Sequence, residues 1–337
     1  MLLLSLFSEY TRAELILFGV FAAMIIIFMV VDLGLLNRTA HKITTKSALY
    51  QSIFWVSVST VFGYLIYQSG PYETLEETER IIISGTDAAI LYFSAYLTEY
   101  ALSVDNIFVI LLILKYFKVK EEYFHKVLFW GILGAVMFRG VFIFVGAILI
   151  HQFKWILYVF GVFLIYSGIK IYFEDSDEKI DPEKNPIMRL CRKFLPISKD
   201  DAGGHFMIRE GGKLMFTPLF LVVVLIETTD LIFAVDSIPA AFAITQNEFL
   251  IYTSNIFAVL GLRAMFFLLS GIIDKFYLLQ KGLSVILFFI GAKMLLEIIH
   301  VHIPVVLSFC VIIATLTLAI LLSILVPKKE KEEEPVG

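Results

Sequence analysis

The sequence predicts an all-α polytopic membrane protein. Three observations predict it: apolar runs long enough to cross a bilayer recur along the chain, the charges between them sort by side, and one pattern of acidic and basic residues occurs twice. Of the 337 residues 59% are hydrophobic and only 17% charged, with 32 Phe and a mean hydropathy of +0.86, far above a soluble domain. The net charge of −4 comes with no basic stripe, which argues against nucleic acid as a partner and leaves the lipid bilayer as the first one. Cys191 lies in a polar loop and Cys310 in the last apolar run, so neither a disulfide framework nor a thiolate metal site is readable. A metal here would be met by oxygen, and no bound cofactor is expected.

About nine runs of some 20 residues stand out, centred near Ile25, Val58, Leu102, Phe138, Phe160, Leu225, Phe257, Leu287 and Ile313. Residues 1–87 hold a short tail and the first two helices; the tail, MLLLSLFSEYTRAE, lacks a basic start and is not read as a cleaved signal. Residues 88–173 form a first group of three helices, 174–214 a cytoplasmic loop, 215–302 a second group, and 303–337 the last helix with a charged tail. NRTAHKITTK, KYFKVKEEYFHK, the 174–214 loop and KKEKEEE carry Lys or Arg, whereas PYETLEETER is acidic and the turns near His151, Gln246 and His302 are nearly free of bases. That asymmetry places the N-terminus outside and the C-terminus in the cytosol, as in a multi-pass protein of the cell (inner) membrane. Within the loop, NPIMRLCRKFLP has helical apolar spacing and HFMIREGGKLMFTP reads as two strands around Gly211-Gly212, a linker that packs on the membrane surface. Trp130 and Trp155 fit interfacial anchors.

The informative residues are carboxylates set in lipid. A carboxylate at the centre of a membrane helix costs ~2.5–3.5 kcal/mol on insertion scales, so it persists where it is paired, faces a cavity or works. LTEYALSVDN (97–106) aligns without a gap to TTDLIFAVDS (228–237), matching Thr98 to Thr229, Glu99 to Asp230, Val104 to Val235 and Asp105 to Asp236. Each acidic run is followed by one with a buried arginine, Arg139 or Arg263, and then by a Gly-x-Lys ending at Lys170 or Lys293. The unit is three helices long, and an odd unit joined by one internal loop must insert in two opposite orientations, giving two inverted three-helix repeats.

Spacing constrains the site. Glu227 and Asp230 share a helix face, but Glu99 to Asp105 and Asp230 to Asp236 are six residues apart, a rotation of about 120°. Local unwinding between the paired acids, with Pro239 nearby to remove a backbone donor, would aim them together and add freed carbonyls. Five acids (Glu99, Asp105, Glu227, Asp230, Asp236) against Arg139, Arg263 and Lys293 leave −2, or −1 if Lys170 also reaches them. A divalent cation or protons would balance the remainder; structural ion pairs are the plainer alternative. Asp32 and Glu297 lie near the interfaces and read as structural. His300 and His302, two apart, point to different sides of a helix and do not read as a metal pair.

DLGLLNRTAHKITTKSAL, LTEYALSVDNIFV, NPIMRLCRKFLP, TPLFLVVVLIETTDLIFAVDSIPA and TSNIFAVLGLRAMFFLL resemble the TerC family of integral membrane proteins over nearly the whole chain. The resemblance implies a LysE-type transporter built from inverted three-helix repeats, exporting Mn²⁺ from the cytosol. It places Glu99, Asp105, Asn106, Glu227, Asp230, Asp236 and Ser237 at the family's motif positions, with metal as the partner of that set. An all-oxygen set suits Mn²⁺, Mg²⁺ or Ca²⁺ better than Zn²⁺ or copper, and exchange for protons stays open. The chain is not expected to be an enzyme: no Gly-x-Gly-Asp accompanies either aspartate, as an intramembrane aspartyl protease would need. The other reading is a membrane partner protein supporting assembly or metal loading of exported proteins, or tellurite resistance by an indirect route. Oligomeric state is not legible.

Overall fold

The apolar runs become helices. The structure, a computed structural model, describes residues 12–31, 44–76, 79–153, 155–173, 193, 195–198, 202–210, 213–270, 278–296, 299, 301 and 303–325. Among these are α1 (Arg12–Val31), α2 (Thr45–Ser69), α3 (Gly85–Tyr116), α4 (Phe124–Gln152), α5 (Trp155–Phe173), α6 (Pro218–Ile244), α7 (Glu248–Leu269), α8 (Leu279–Leu296) and α9 (Val305–Leu325). Seven of them, α2 and α4 to α9, are long and apolar enough to cross a membrane by length and composition. The longest is α3 at 32 residues, which carries Asp87, Glu99, Asp105 and Lys115, while the apolar part of α1 is the shorter stretch Glu14–Phe28. The chain is an all-α polytopic membrane protein. Asp32, Cys191, Glu297, His300, His302 and most of the helix expected at 185–196 lie outside the described residues.

Polar residues set the helix starts. Ser84 Oγ accepts from Asp87 N at 3.1 Å and donates to Asp87 Oδ2 at 2.7 Å, a reciprocal cap at the mouth of α3. Asn247 caps α7 by accepting from Leu250 N at 3.0 Å and uses its amide to donate to the buried Glu14 of α1 at 3.1 Å. Pro218 opens α6, where its missing N–H would be unused. The acidic segment after α2 folds into a hairpin, β1 (Tyr72–Glu76) with β2 (Glu79–Ile83). The hairpin expected around Gly211-Gly212 is present as β3 (Met207–Glu210) and β4 (Lys213–Phe216).

The aromatic core joins α1, α2, α3 and α7 through Phe21, Phe62, Tyr92, Phe249 and Phe257. Tyr72, from β1, seals its end by donating to the Ile66 carbonyl oxygen at 2.8 Å. Burial, with the Glu14 carboxylate near, pushes this phenol above its ordinary range and keeps it a donor. On the other side α3 and α7 pack side by side, α6 lies against α3 and α4, and α5 runs along α8. The α5–α8 pair is antiparallel and backbone-close. A Cβ at Gly291 would come within 2.6 Å of the Gly161 carbonyl oxygen, and one at Gly168 within 2.7 Å of the Ser284 carbonyl oxygen. Such small-residue contacts are how membrane helices gain dispersion energy without help from water.

One expectation is corrected. α6 is continuous from Pro218 to Ile244 with Pro239 inside it, and α3 is continuous through both of its acids. Pro239 removes a single N–H, and the helices packed around α6 hold the rest of its ladder in place. Unwinding is therefore not how the acidic motifs share a centre.

Candidate cation site in the helix core

In an unbroken helix, residues seven apart return to within about 20° of one face. Glu99 and Asn106 on α3 are such a pair, and so are Asp230 and Ser237 on α6. Both pairs face the same arginine. Arg139 on α4 is wholly buried. Its Nη1 makes an ion pair with Glu99 Oε1 and donates at 3.4 Å to Ser237 Oγ and at 3.4 Å to Asn255 Oδ1. Its Nη2 donates to Asp230 Oδ1 at 3.3 Å, and Asn106 Nδ2 donates to the same oxygen at 3.4 Å. One guanidinium thus bridges two carboxylates at matched positions of the acidic motifs.

Glu227 stands beside this bridge, three residues before Asp230 on the same face, half-buried against Gly134 of α4. A Cβ at position 134 would fall on the Glu227 carboxylate, so the glycine makes the space in which that acid sits. Glu227 Oε2, Asp230 Oδ2 and Arg139 Nε are buried and have no hydrogen-bond partner among the described residues. Buried polar atoms are nearly always satisfied, so two unsatisfied acceptors a turn apart are the open positions of this centre. Thr228 and Thr229 give their hydroxyl protons to the Val224 and Leu225 carbonyls at 2.7 and 2.6 Å, so they do not donate to these oxygens.

Asp105 and Asp236 lie on α3 and α6, one residue short of Asn106 and Ser237, and their side chains lie outside what the structure describes. Among the described residues no three acidic, histidine or cysteine side chains converge tightly enough to hold a metal ion. Of the bases, Arg139 is central and Arg263 is half-buried on α7. Lys293 is buried on α8 and lines a separate small cavity with Ser94 and Ser308. Lys170 is exposed on α5, toward the end of the helix. Asn255 was not anticipated. Its amide donates to the Ile251 carbonyl at 3.0 Å, which turns its oxygen to Arg139. A polar Thr253-Ser254-Asn255 triplet inside an apolar span was the available signal.

The family model described as Integral membrane protein TerC family matches residues 84–331, from the cap of α3 onward. An uncharacterized membrane protein of Myxococcus xanthus is 41% identical over 274 residues, 81% of this chain and 81% of its own length. Alx of Salmonella typhi, named for a proposed role as a membrane-bound redox modulator, is 42% identical over 309 residues, 91% of this chain and 94% of its own. Alx of Escherichia coli K12, named in the same way, is 41% identical over the same coverage. No solved structure matches. The chain belongs to the TerC family of integral membrane proteins.

Proposed function

We propose that this protein exports a divalent cation, Mn²⁺ first among them, from the cytosol across the cell membrane, in exchange for protons. The observation that carries this reading is the buried centre where Glu99 and Asp230 meet at Arg139 with acceptor oxygens of Asp230 and Glu227 left open. The remaining motif positions, Asp105 and Asp236, would complete an oxygen-rich ligand set suited to a hard cation.

Alternating access would come from two inverted three-helix repeats, α3–α5 and α6–α8. The glycine contacts support that symmetry. By the Gly-x-Lys alignment Gly161 corresponds to Ser284 and Gly168 to Gly291, and the observed approaches cross over, Gly161 to Gly291 and Gly168 to Ser284. A pseudo-twofold axis between α5 and α8 produces that reciprocity, just as it does across a symmetric dimer. Metal and protons would compete for the same carboxylate oxygens, so each can drive the other's release.

The test is efflux of radioactive manganese from loaded cells or inverted vesicles, with and without the protein. Export should appear only with the protein and slow when a protonophore collapses the gradient. No protein-dependent flux, together with loss of function on altering the 174–214 loop but not the buried acids, would instead favour the partner-protein reading.

A further inference from the structure

We propose that Arg139 is a tethered counter-cation that competes with the transported ion for Asp230, so that the empty carrier keeps a compensated core. This rests on the exporter reading. The arginine's two ends are held unequally. Nη1 is paired with Glu99 and backed by Ser237 and Asn255, whereas Nη2 reaches Asp230 through one contact at 3.3 Å. Three acids stand against this one base in the described centre, and both orphaned carboxylate oxygens, Asp230 Oδ2 and Glu227 Oε2, belong to α6, whereas the Glu99 anchor is on α3. A divalent cation arriving there would be held by the same Asp230 that the guanidinium now shares. A divalent ion on Asp230 Oδ2 and a guanidinium on Oδ1 repel each other strongly in a low-dielectric core, so the ion's arrival weakens the single Nη2 contact and turns it away while Nη1 stays with Glu99.

The consequence is a cycle in which neither the loaded nor the empty state leaves Asp230 uncompensated. A buried carboxylate stripped of both ion and arginine would hold the empty carrier in place, since uncompensated charge is what the hydrocarbon interior tolerates least.

Lysine at position 139 retains the charge for Glu99 but lacks the second arm, so Arg139→Lys separates the two roles. If the single variant folds poorly, the Glu99→Gln/Arg139→Gln double variant removes the anchored pair together, so that Glu99 is not left charged and Asp230 alone loses its guanidinium. Purified full-length protein would be titrated with Mn²⁺ by calorimetry. Reconstituted liposomes would report radioactive manganese flux in two modes, net efflux into metal-free buffer and exchange with Mn²⁺ on both sides. Removing the competitor should tighten Mn²⁺ binding about tenfold, within the ~5–150-fold usual for coupled ligands, and cut net efflux while sparing exchange. Unchanged or weaker binding in the variants, or equal loss of net flux and exchange, overturns the counter-cation while leaving the exporter standing. Wild-type protein that neither binds nor moves Mn²⁺ overturns both.

Discussion

Breaking the Glu99–Arg139 pair from one side should damage the fold more than removing it whole. Arg139→Leu leaves Glu99, buried to 1% exposure, without its base, and such losses run to about 3–5 kcal/mol. We expect less protein in the membrane and an aggregated profile in detergent chromatography, with Glu99→Gln in the same chain restoring much of the yield. Asp230→Asn should behave oppositely. Asn keeps the shape and costs less to bury, so folded protein should stay near wild type while manganese efflux is lost. Asp105→Asn and Asp236→Asn test the other two motif acids in the same assay, and loss of folded protein there would favour a structural role. Glu99, Asp230 and Arg139 were legible in the sequence because duplication marks them twice. Asn106 and Ser237 were legible only through the family motif, although their seven-residue offset from the acids is the simpler geometric clue. Asn255 had no duplicate, and a single amide in a membrane helix reads as filler until its partner is seen.

Helix by helix, the sequence was most readable where a span had to be apolar on every side and least where a few local bonds decide. The acidic segment after α2 does not alternate, so β1 and β2 were not foreseen, whereas the Gly-Gly turn announced β3 and β4. Pro239 misled in the other direction, since a proline breaks a helix in water more readily than one enclosed by other helices. The α5–α8 contact gives the strongest prediction at this scale. Gly291→Leu would push side-chain atoms into the α5 backbone, an overpacking cost of about 1–3 kcal/mol, read as a lower melting temperature in detergent. Gly161→Leu should do the same, because each glycine faces the other helix. At the end of α3, Lys118 sits at φ 50° while Val119 N donates to the Leu114 carbonyl at 3.0 Å. Left-handed backbone is the place for glycine, so Lys118→Gly should raise thermal stability by about 1 kcal/mol.

At the scale of the molecule, orientation comes from loop charge and is tested by fusion. A reporter that fluoresces only in the cytosol should be bright at the C-terminus and dark near Gln246; the reverse would undo both the proposed orientation and the proposed direction of transport. The family match begins at residue 84, but α2 and α1 pack on α7, inside the second proposed repeat. Deleting residues 1–83 should therefore abolish folding although it spares every candidate site residue. α7 explains why. Of its apolar stretch 94% is buried inside the protein, against 17% for α9, and its mean hydropathy is 1.5 against 2.9. It also carries Thr253, Ser254, Asn255 and Arg263. A span so reluctant to meet lipid is a poor independent client of the insertion machinery, yet by the time the ribosome delivers it, α1 to α4 already stand in the bilayer to receive it. The order in which the chain is synthesised thus supplies α7 with its solvent.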